Sequence, residues 1–227
     1  MIRVILARHG VTEWNQANRY QGHQDVPLSD LGRRQAARLG ERLRAEAITA
    51  AYSSDLARAR ETAAIALEGR PVSLMTTPTL REINFGAWEG LGHREIAVSY
   101  PEAWSAWTRD PGTMRPPGGG ESLTDLRQRV VAFLGSALAR IDPIQGDGPA
   151  GQDRFLYRAA GGTGSEAPPT LLFVTHGGTL RALLTHLFEM PVSLYWRFGV
   201  RPASVTVLEV YPEGAIAEII GDTSHLH

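Results

Sequence analysis

The amino-acid sequence predicts an α/β protein of three layers, in which helices cover both faces of a mainly parallel central sheet. The first observation is a pair of almost continuous apolar runs, at residues 2–7 and 170–175, because strands buried on both faces carry such runs. The second is the helical spacing of apolar residues between and after these runs. Strands that alternate with helices favour a parallel sheet, since each crossover helix covers one face.

The other elements are predicted from caps, apolar spacing and turn residues. We expect helices over residues 29–47, over about 53–67, from the capping pattern Ser122-x-x-Asp125 onward, and directly after residue 178. We expect strands over residues 48–52, 205–211 and 215–220, of which the last two form a hairpin. Residues 143–169 are rich in glycine and proline and lack helical periodicity, so we expect a surface loop there. The length of 227 residues favours a single domain, residues 1–227, that contains this loop as an insertion.

Composition narrows the classes of function. Basic and acidic residues number 23 and 24, and this balance does not favour a nucleic-acid partner. Cysteine is absent, which excludes disulfides, thiolate nucleophiles and cysteine-bound zinc, and lysine is absent too, which excludes Walker A and Schiff-base chemistry. The start does not have the pattern of a secretory signal, and no apolar run reaches the roughly 20 residues of a membrane span. We therefore expect a cytoplasmic protein with a small-molecule partner and no membrane or nucleic-acid partner.

Each of the two apolar runs ends in a histidine followed by glycine. Ligands of open α/β sheets bind beyond the carboxyl ends of the strands, so we expect His9 and His176 to share one pocket despite their distance in sequence. Arg8 places a positive charge beside His9, and Arg58 lies in the first turn of the second predicted helix, where an anion is favoured. These four residues predict an anion site.

Five ordered segments of the chain resemble the histidine phosphatase superfamily, in its phosphoglycerate mutase-like group. They are Arg8-His9-Gly10-x-Thr12-x-x-Asn15 with Gln21-Gly22-x-x-Asp25-x-Pro27-Leu28-Ser29, then Ser53-Ser54-Asp55-Leu56-x-Arg58-Ala59-x-x-Thr62-Ala63, Leu80-Arg81-Glu82-x-x-Phe85-Gly86-x-Trp88-Glu89-Gly90, Gly120-Glu121-Ser122 and Val174-Thr175-His176-Gly177-Gly178. Together these segments extend over nearly the whole chain. The resemblance implies a phosphoglycerate mutase-like fold.

The resemblance also implies a role for each matching residue. The implied nucleophile is His9, the proton donor is Glu82, the phosphate pocket comprises Arg8, Arg58 and His176, and the substrate-binding positions are Asn15, Gln21, Gly22 and Gly177. No cofactor and no metal ion is expected.

This assignment makes chemical demands on the nucleophile and on the acid. To attack phosphorus, the His9 imidazole must be uncharged, and we expect a backbone carbonyl to hold its other N–H. Glu82 must donate a proton to the leaving oxygen and then take one from water. Glu89 and Glu121 are the rival carboxylates, but a loop and a helix start are predicted there, where a structural role suffices.

The expected function is hydrolysis of small-molecule phosphate esters. Mutases of the superfamily typically carry Arg-His-Tyr-Gly and Leu-Asn-Lys after the acid, whereas this chain has Ile83-Asn84-Phe85-Gly86 and Leu91-Gly92-His93. Three alternatives stay open: a cofactor-dependent phosphoglycerate mutase, a phospho-ligand binding module without turnover, and a metallohydrolase that uses His9, His23, Asp25 and His176.

Two further expectations concern aromatic residues. The segment 93–117 contains Tyr100, Trp104 and Trp107, and it forms either aromatic core packing, the favoured alternative, or a cap over the ligand. Trp196 and Phe198, near a predicted loop, are candidates for the interface of a homodimer.

Overall fold

A computed structural model of the protein describes residues 1–141 and 167–227. The strands described are β1 (Ile2–Arg8), β2 (Ile48–Ser54), β3 (Leu74–Thr77), β4 (Thr170–Thr175), β5 (Val205–Tyr211) and β6 (Gly214–Asp222). They form a six-stranded sheet in the order β3-β2-β4-β1-β5-β6. The predicted loop at 143–169 lies almost entirely outside the described residues.

Most of the sheet is parallel, as predicted. β1 pairs in parallel with β4, and β2 pairs in parallel with both β3 and β4. β5 is antiparallel to β1, and β6 is antiparallel to β5. Tyr211 pairs with Gly214 at the end of the last two strands, which confirms the predicted hairpin.

The helices flank this sheet. Those described are α1 (Glu13–Gln16), α2 (Asp30–Arg42), α3 (Ala57–Ala66), α4 (His93–Ser99), α5 (Pro101–Arg109), α6 (Leu123–Ile141) and α7 (Gly177–Leu187), with 3-10 turns at Pro78–Leu80, Gly86–Trp88, Val192–Arg197 and Ser224–Leu226. In the part of the chain that the structure describes, no helix combines the length and apolarity needed to cross a bilayer.

The predicted helix boundaries were partly wrong. α2 ends at Arg42 rather than near residue 47, since its apolar stripe stops at Leu43 and the chain turns there into β2. α3 starts at Ala57 rather than at residue 53, because the two serines at 53–54 extend β2. The capping pattern at the start of α6 is confirmed: the Asp125 N–H donates to Ser122 Oγ, and the Ser122 N–H donates to the Asp125 carboxylate.

The two faces of the sheet bury two separate hydrophobic clusters. Val4 and Leu6 of β1 pack in one cluster with residues of α6 and α7, whereas Ile5 and Ala7 pack in the other with residues of α2 and α3. Successive side chains of a strand point to opposite faces. The predicted three-layer arrangement is therefore confirmed.

The aromatic segment 93–117 forms α4 and α5 and packs against the core. The rings of Trp104 and Trp107 both meet the fully buried Trp88 edge to face, with centroids 5.6 and 5.7 Å away. This geometry confirms the core-packing alternative for these two tryptophans. Trp196 has 65% of its surface exposed. The homodimer stays a prediction.

The order of the strands places His9 and His176, which follow β1 and β4, side by side. β1 and β4 are parallel neighbours, and Arg8, the last residue of β1, pairs with Thr175, the last of β4. His9 and His176 therefore leave the same edge of the sheet from adjacent strands, as the sequence predicts.

Candidate active site

His9 lies at the end of β1 with 2% of its surface exposed. Its backbone N–H donates to the Thr175 carbonyl at 2.9 Å, which extends the pairing of β1 with β4 by one residue. Its Nδ1 lies 2.7 Å from the Gly10 carbonyl oxygen. Because a carbonyl can only accept, Nδ1 carries the proton, and the lone pair of the neutral ring is on Nε2. The expected contact between the imidazole and a backbone carbonyl is present.

His176 lies beside His9 with their ring centroids 5.1 Å apart, and it is fully buried. Its Nδ1 accepts a hydrogen bond from Arg58 Nε at 3.2 Å. An arginine only donates, so the proton of the neutral ring is on Nε2. That buried Nε2 has no hydrogen-bond partner within residues 1–141 and 167–227.

Arg58 is fully buried in the first turn of α3, rather than solvated as a helix position alone would suggest. Besides the bond to His176, its two terminal nitrogens donate to the carbonyls of Gln24 at 2.7 Å and Gly22 at 2.8 Å. Burial lowers the pKa of Arg58 to about 10, so the guanidinium stays charged at neutral pH. These bonds fix the group beside the two histidines.

Arg8 provides the second cation of the site and is half-buried. Burial lowers its pKa to about 10, and a terminal nitrogen donates to the Val200 carbonyl at 2.9 Å. Its Nε has no partner in the described structure. Gly177 lies against the guanidinium, where a Cβ would come within 3.3 Å of Arg8 Cζ.

The two arginines act on the protonation of both histidines. The pKa of His9 lies well below its ordinary value of 6.5, first because of burial and then because of the charges of Arg58 and Arg8. Burial and the same two charges lower the pKa of His176 likewise. Both rings are therefore neutral at pH 7.

Glu82 follows the 3-10 turn at Pro78–Leu80. One carboxylate oxygen accepts the Ile83 N–H and the other accepts the Gly178 N–H, each at 3.0 Å. Because Gly178 is in the first turn of α7, the helix that follows His176 also orients this carboxylate.

The rival carboxylates have structural partners. Glu89 accepts the backbone N–H groups of His23 and Phe85, and Glu121 forms an ion pair with Arg129 at 2.8 Å. These contacts agree with the structural roles expected for both residues.

A cavity of about 430 Å³ opens in front of these groups. Of the residues predicted for the site, those on its wall are Arg8, His9, Asn15, Gln21, Arg58 and Glu82. Three predicted residues, His176, Gly22 and Gly177, are not among the lining residues, although the His176 ring lies 5.1 Å from the ring of His9. Gly22 has φ +50° and its carbonyl binds Arg58, while a Cβ there would overlap the Glu89 carboxylate. Its role in the structure is thus to hold Arg58 rather than to line the cavity.

Comparison with known proteins decides the family. The profile of the histidine phosphatase superfamily (branch 1) matches residues 4–143 and 154–223 of the chain. The protein belongs to this superfamily.

Several similar proteins cover the whole chain or nearly so. The probable phosphoglycerate mutase GpmB of Yersinia pestis (strain Pestoides F) is 34% identical over 237 residues, which span 100% of this chain and 95% of that protein. The solved structure of Bacillus stearothermophilus YhfR is 33% identical with a TM-score of 0.82, and 100% of each chain is covered. A mycobacterial glucosyl-3-phosphoglycerate phosphatase, solved with VO3, is 29% identical with a TM-score of 0.78, covering 97% of this chain and 99% of that one.

Sequence reasoning missed several residues on the cavity wall. They are Asn18, Arg19, Tyr20, Ile83, Phe85, Gly178, Arg181 and Tyr195. Arg181 is in α7, and its Nε donates to the Phe198 carbonyl at 2.9 Å. Tyr195 is in the 3-10 turn Val192–Arg197, and burial raises its pKa. Phe85 and Gly178 stand in the segments that resemble the family, and Arg181 lies in the helix that directly follows His176.

The contacts of the four residues do not support the metal alternative. Nδ1 of His176 accepts from a guanidinium, His23 Nε2 lies 3.0 Å from the Glu82 carbonyl, and Asp25 accepts the Ala57 N–H at 2.6 Å. Within the described ranges, no three histidine or carboxylate side chains are grouped as metal ligands. The four residues of that hypothesis therefore have other partners.

Proposed function

We propose that the protein is a phosphomonoesterase that hydrolyses small-molecule phosphate esters through a phosphohistidine on His9. The observation that carries this proposal is the hydrogen bond from His9 Nδ1–H to the Gly10 carbonyl, on a ring at the wall of the cavity that Arg8 and Arg58 also line. It leaves an Nε2 lone pair free for attack. The whole chain, residues 1–227, acts as one domain in this proposal.

The first step transfers the phosphoryl group to His9. Arg8, Arg58 and the Nε2–H of His176 bind the phosphate oxygens and stabilise the charge that spreads over them. The bond from His9 Nε2 to phosphorus forms as the bond from phosphorus to the ester oxygen breaks. Glu82, in its protonated form, gives its proton to that leaving oxygen.

The second step releases phosphate. The Glu82 carboxylate takes a proton from a water molecule, whose oxygen bonds to phosphorus as the bond between phosphorus and nitrogen breaks. Inorganic phosphate leaves, His9 returns to its neutral form, and Glu82 is protonated for the next cycle. Neither step involves a metal ion or a cofactor.

Mutase activity is the competing proposal, because a similar protein bears the name probable phosphoglycerate mutase. Two features of the chain support hydrolysis instead. The chain contains no lysine, and Ile83 to Gly86 replaces the mutase segment that follows the acid. Incubation of the protein with 3-phosphoglycerate, with and without 2,3-bisphosphoglycerate, separates the two reactions. Hydrolysis releases inorganic phosphate in both cases, whereas a mutase forms 2-phosphoglycerate and needs the bisphosphate.

The decisive experiment traps the intermediate. Wild-type protein mixed with ³²P-labelled 4-nitrophenyl phosphate and quenched during turnover is expected to hold label that is stable in base and released in acid. His9→Ala is expected to lose this label and at least about 10⁴-fold in kcat, since no other group replaces the nucleophile. The exposed His227 gives a matched control, and His227→Ala should keep both label and rate. Wild-type turnover without label on His9 would exclude the phosphohistidine route.

A further inference from the structure

One peptide group connects the candidate nucleophile to helix α2. The carbonyl of the peptide between Gly10 and Val11 accepts the His9 Nδ1–H at 2.7 Å. The N–H of the same peptide, which belongs to Val11, donates to Gln35 Oε1 at 2.9 Å. Gln35 is half-buried in α2. Two hydrogen bonds thus run in series from its side chain through one peptide to the imidazole of His9.

The backbone on either side of this peptide is held by other groups. The Gly10 N–H donates to Thr62 Oγ1 at 3.0 Å, and the Val11 carbonyl accepts the Ser29 N–H at 3.0 Å. Gly10 also packs so closely on α2 that a Cβ there would lie 2.4 Å from the Gly32 carbonyl oxygen. These contacts fix where the loop lies. Gln35 is the side chain that bonds the very peptide whose carbonyl holds His9.

The orientation of this peptide sets the state of the nucleophile. While the Gly10 carbonyl points at Nδ1, the proton is kept there and Nε2 keeps its lone pair. An N–H that is itself hydrogen-bonded polarises its peptide and strengthens the bond that the carbonyl accepts. When phosphorus bonds to Nε2, the ring gains positive charge, which the same carbonyl stabilises.

We propose that Gln35 is a positioning residue, which holds His9 in the tautomer that attacks phosphorus. The inference rests on the phosphohistidine route proposed above and adds a residue outside the cavity to it. Gln35 does not line the cavity, so its loss should slow the chemical step and leave phosphate binding unchanged.

The test compares two replacements of similar size. Gln35→Met keeps the length of the side chain and loses the acceptor, whereas Gln35→Glu keeps an oxygen that can accept the Val11 N–H. Rapid mixing with 4-nitrophenyl phosphate measures the rate of the first turnover from the time course of the burst. The burst amplitude gives the number of active sites. We expect Gln35→Met to slow that turnover about tenfold, the effect of losing about one net hydrogen bond, with the inhibition constant of inorganic phosphate within about twofold of wild type. Gln35→Glu should recover most of the rate.

Controls separate positioning from a merely structural role. Arg34→Met changes the exposed neighbour of Gln35 on the same helix, and it should leave the first-turnover rate unchanged. ¹⁵N NMR of labelled histidine should show His9 protonated at Nδ1 in wild type and partly at Nε2 in Gln35→Met. Gln35→Ala, which also lacks the acceptor, replaces Gln35→Met if the latter fails to fold.

Several outcomes overturn the proposal. One is an unchanged first-turnover rate in Gln35→Met, and another is an equal loss of that rate in Gln35→Met and Gln35→Glu. A third is a weakening of phosphate binding that accounts for the whole loss of rate. The last is failure of both Gln35→Met and Gln35→Ala to fold. Failure of the proposed function has a different signature, because the wild type itself would then form no acid-labile phosphate.

Discussion

The loop after β1 and the loop after β4 share a sequence pattern but differ in chemistry. Each continues a buried strand with a histidine and then glycine, and the two rings lie 5.1 Å apart. His9 donates from Nδ1 to the Gly10 carbonyl, whereas His176 accepts at Nδ1 from the Arg58 guanidinium. Their neutral rings are therefore opposite tautomers, with a lone pair at Nε2 of His9 and a proton at Nε2 of His176.

This difference shows that the nearest polar partner, rather than position in the fold, decides what a strand-end histidine can do. Beside a carbonyl, the neutral ring keeps a lone pair at Nε2; beside a guanidinium, the same ring carries a proton there. Burial and the same two arginines keep both rings uncharged. The site thus has one group that can attack phosphorus and one that can bind its oxygens.

Among the tests of this comparison, the largest expected effect concerns Glu82, whose carboxylate accepts the Gly178 N–H at the start of α7. Glu82→Gln has no acidic proton for the leaving oxygen. We expect the rate of the first turnover of an alkyl ester such as glycerol 3-phosphate to fall by about 10²–10⁴-fold. The loss in that rate for 4-nitrophenyl phosphate should stay under about tenfold, because 4-nitrophenolate leaves without a proton. Rapid-quench measurement of the first turnover on both esters measures the contrast and leaves out the second step, in which Glu82 acts as the base for either ester.

The exposed Glu102 offers a matched control, and Glu102→Gln should leave both rates unchanged. Equal losses on the two esters in Glu82→Gln would assign the proton transfer to another group. The inhibition constant of inorganic phosphate monitors whether the phosphate pocket stays intact.

The next effect separates the two histidines directly. His176→Ala removes the Nε2–H donor and leaves the nucleophile and its carbonyl partner in place. We expect kcat to fall by about 10²–10³-fold, the usual cost of one donor to transition-state charge. The remaining turnover should still pass through an acid-labile phosphate on His9. Quenching during turnover of a ³²P-labelled ester measures this phosphate as label per molecule of folded protein. Complete loss of label in folded His176→Ala would mean that both histidines are required to form the phosphohistidine. That result would contradict the separate roles that the assigned tautomers imply.

The sequence predicted the part of the fold that depends on apolar patterning. The continuous runs of β1 and β4 and the capping box of α6 were found because each leaves a local signal. β3, Leu74–Thr77, was missed because it is a short strand at the sheet edge with little buried surface. α5 was missed because its tryptophans pack on Trp88, a contact between segments distant in sequence that leaves no local signal.

The same distinction applies to the site. His9 and Arg8 are adjacent in sequence, and their position at a strand end predicts their place. Arg181 and Tyr195 meet at the cavity only because the turn Val192–Arg197 folds back beside α7. Gln35 resembles any polar residue on a helix, and only its contact with the Val11 N–H distinguishes it.

The smallest effect is a dependence of stability on pH that both histidines share. Because the folded protein holds the pKa of His9 and His176 well below 6.5, the unfolded chain binds more protons once the pH falls below that value. The contribution is complete above pH 6.5 and is lost as the pH falls toward the folded pKa values, at up to about 1.4 kcal/mol per pH unit for each ring. Urea unfolding between pH 7.5 and 5.5 measures the slope, and His9→Asn and His176→Asn should each reduce it. His186 and His225, whose pKa values burial also lowers, contribute to the wild-type slope, so the comparison uses differences between variants. His9→Asn with the wild-type slope would mean that His9 is not held neutral by its surroundings.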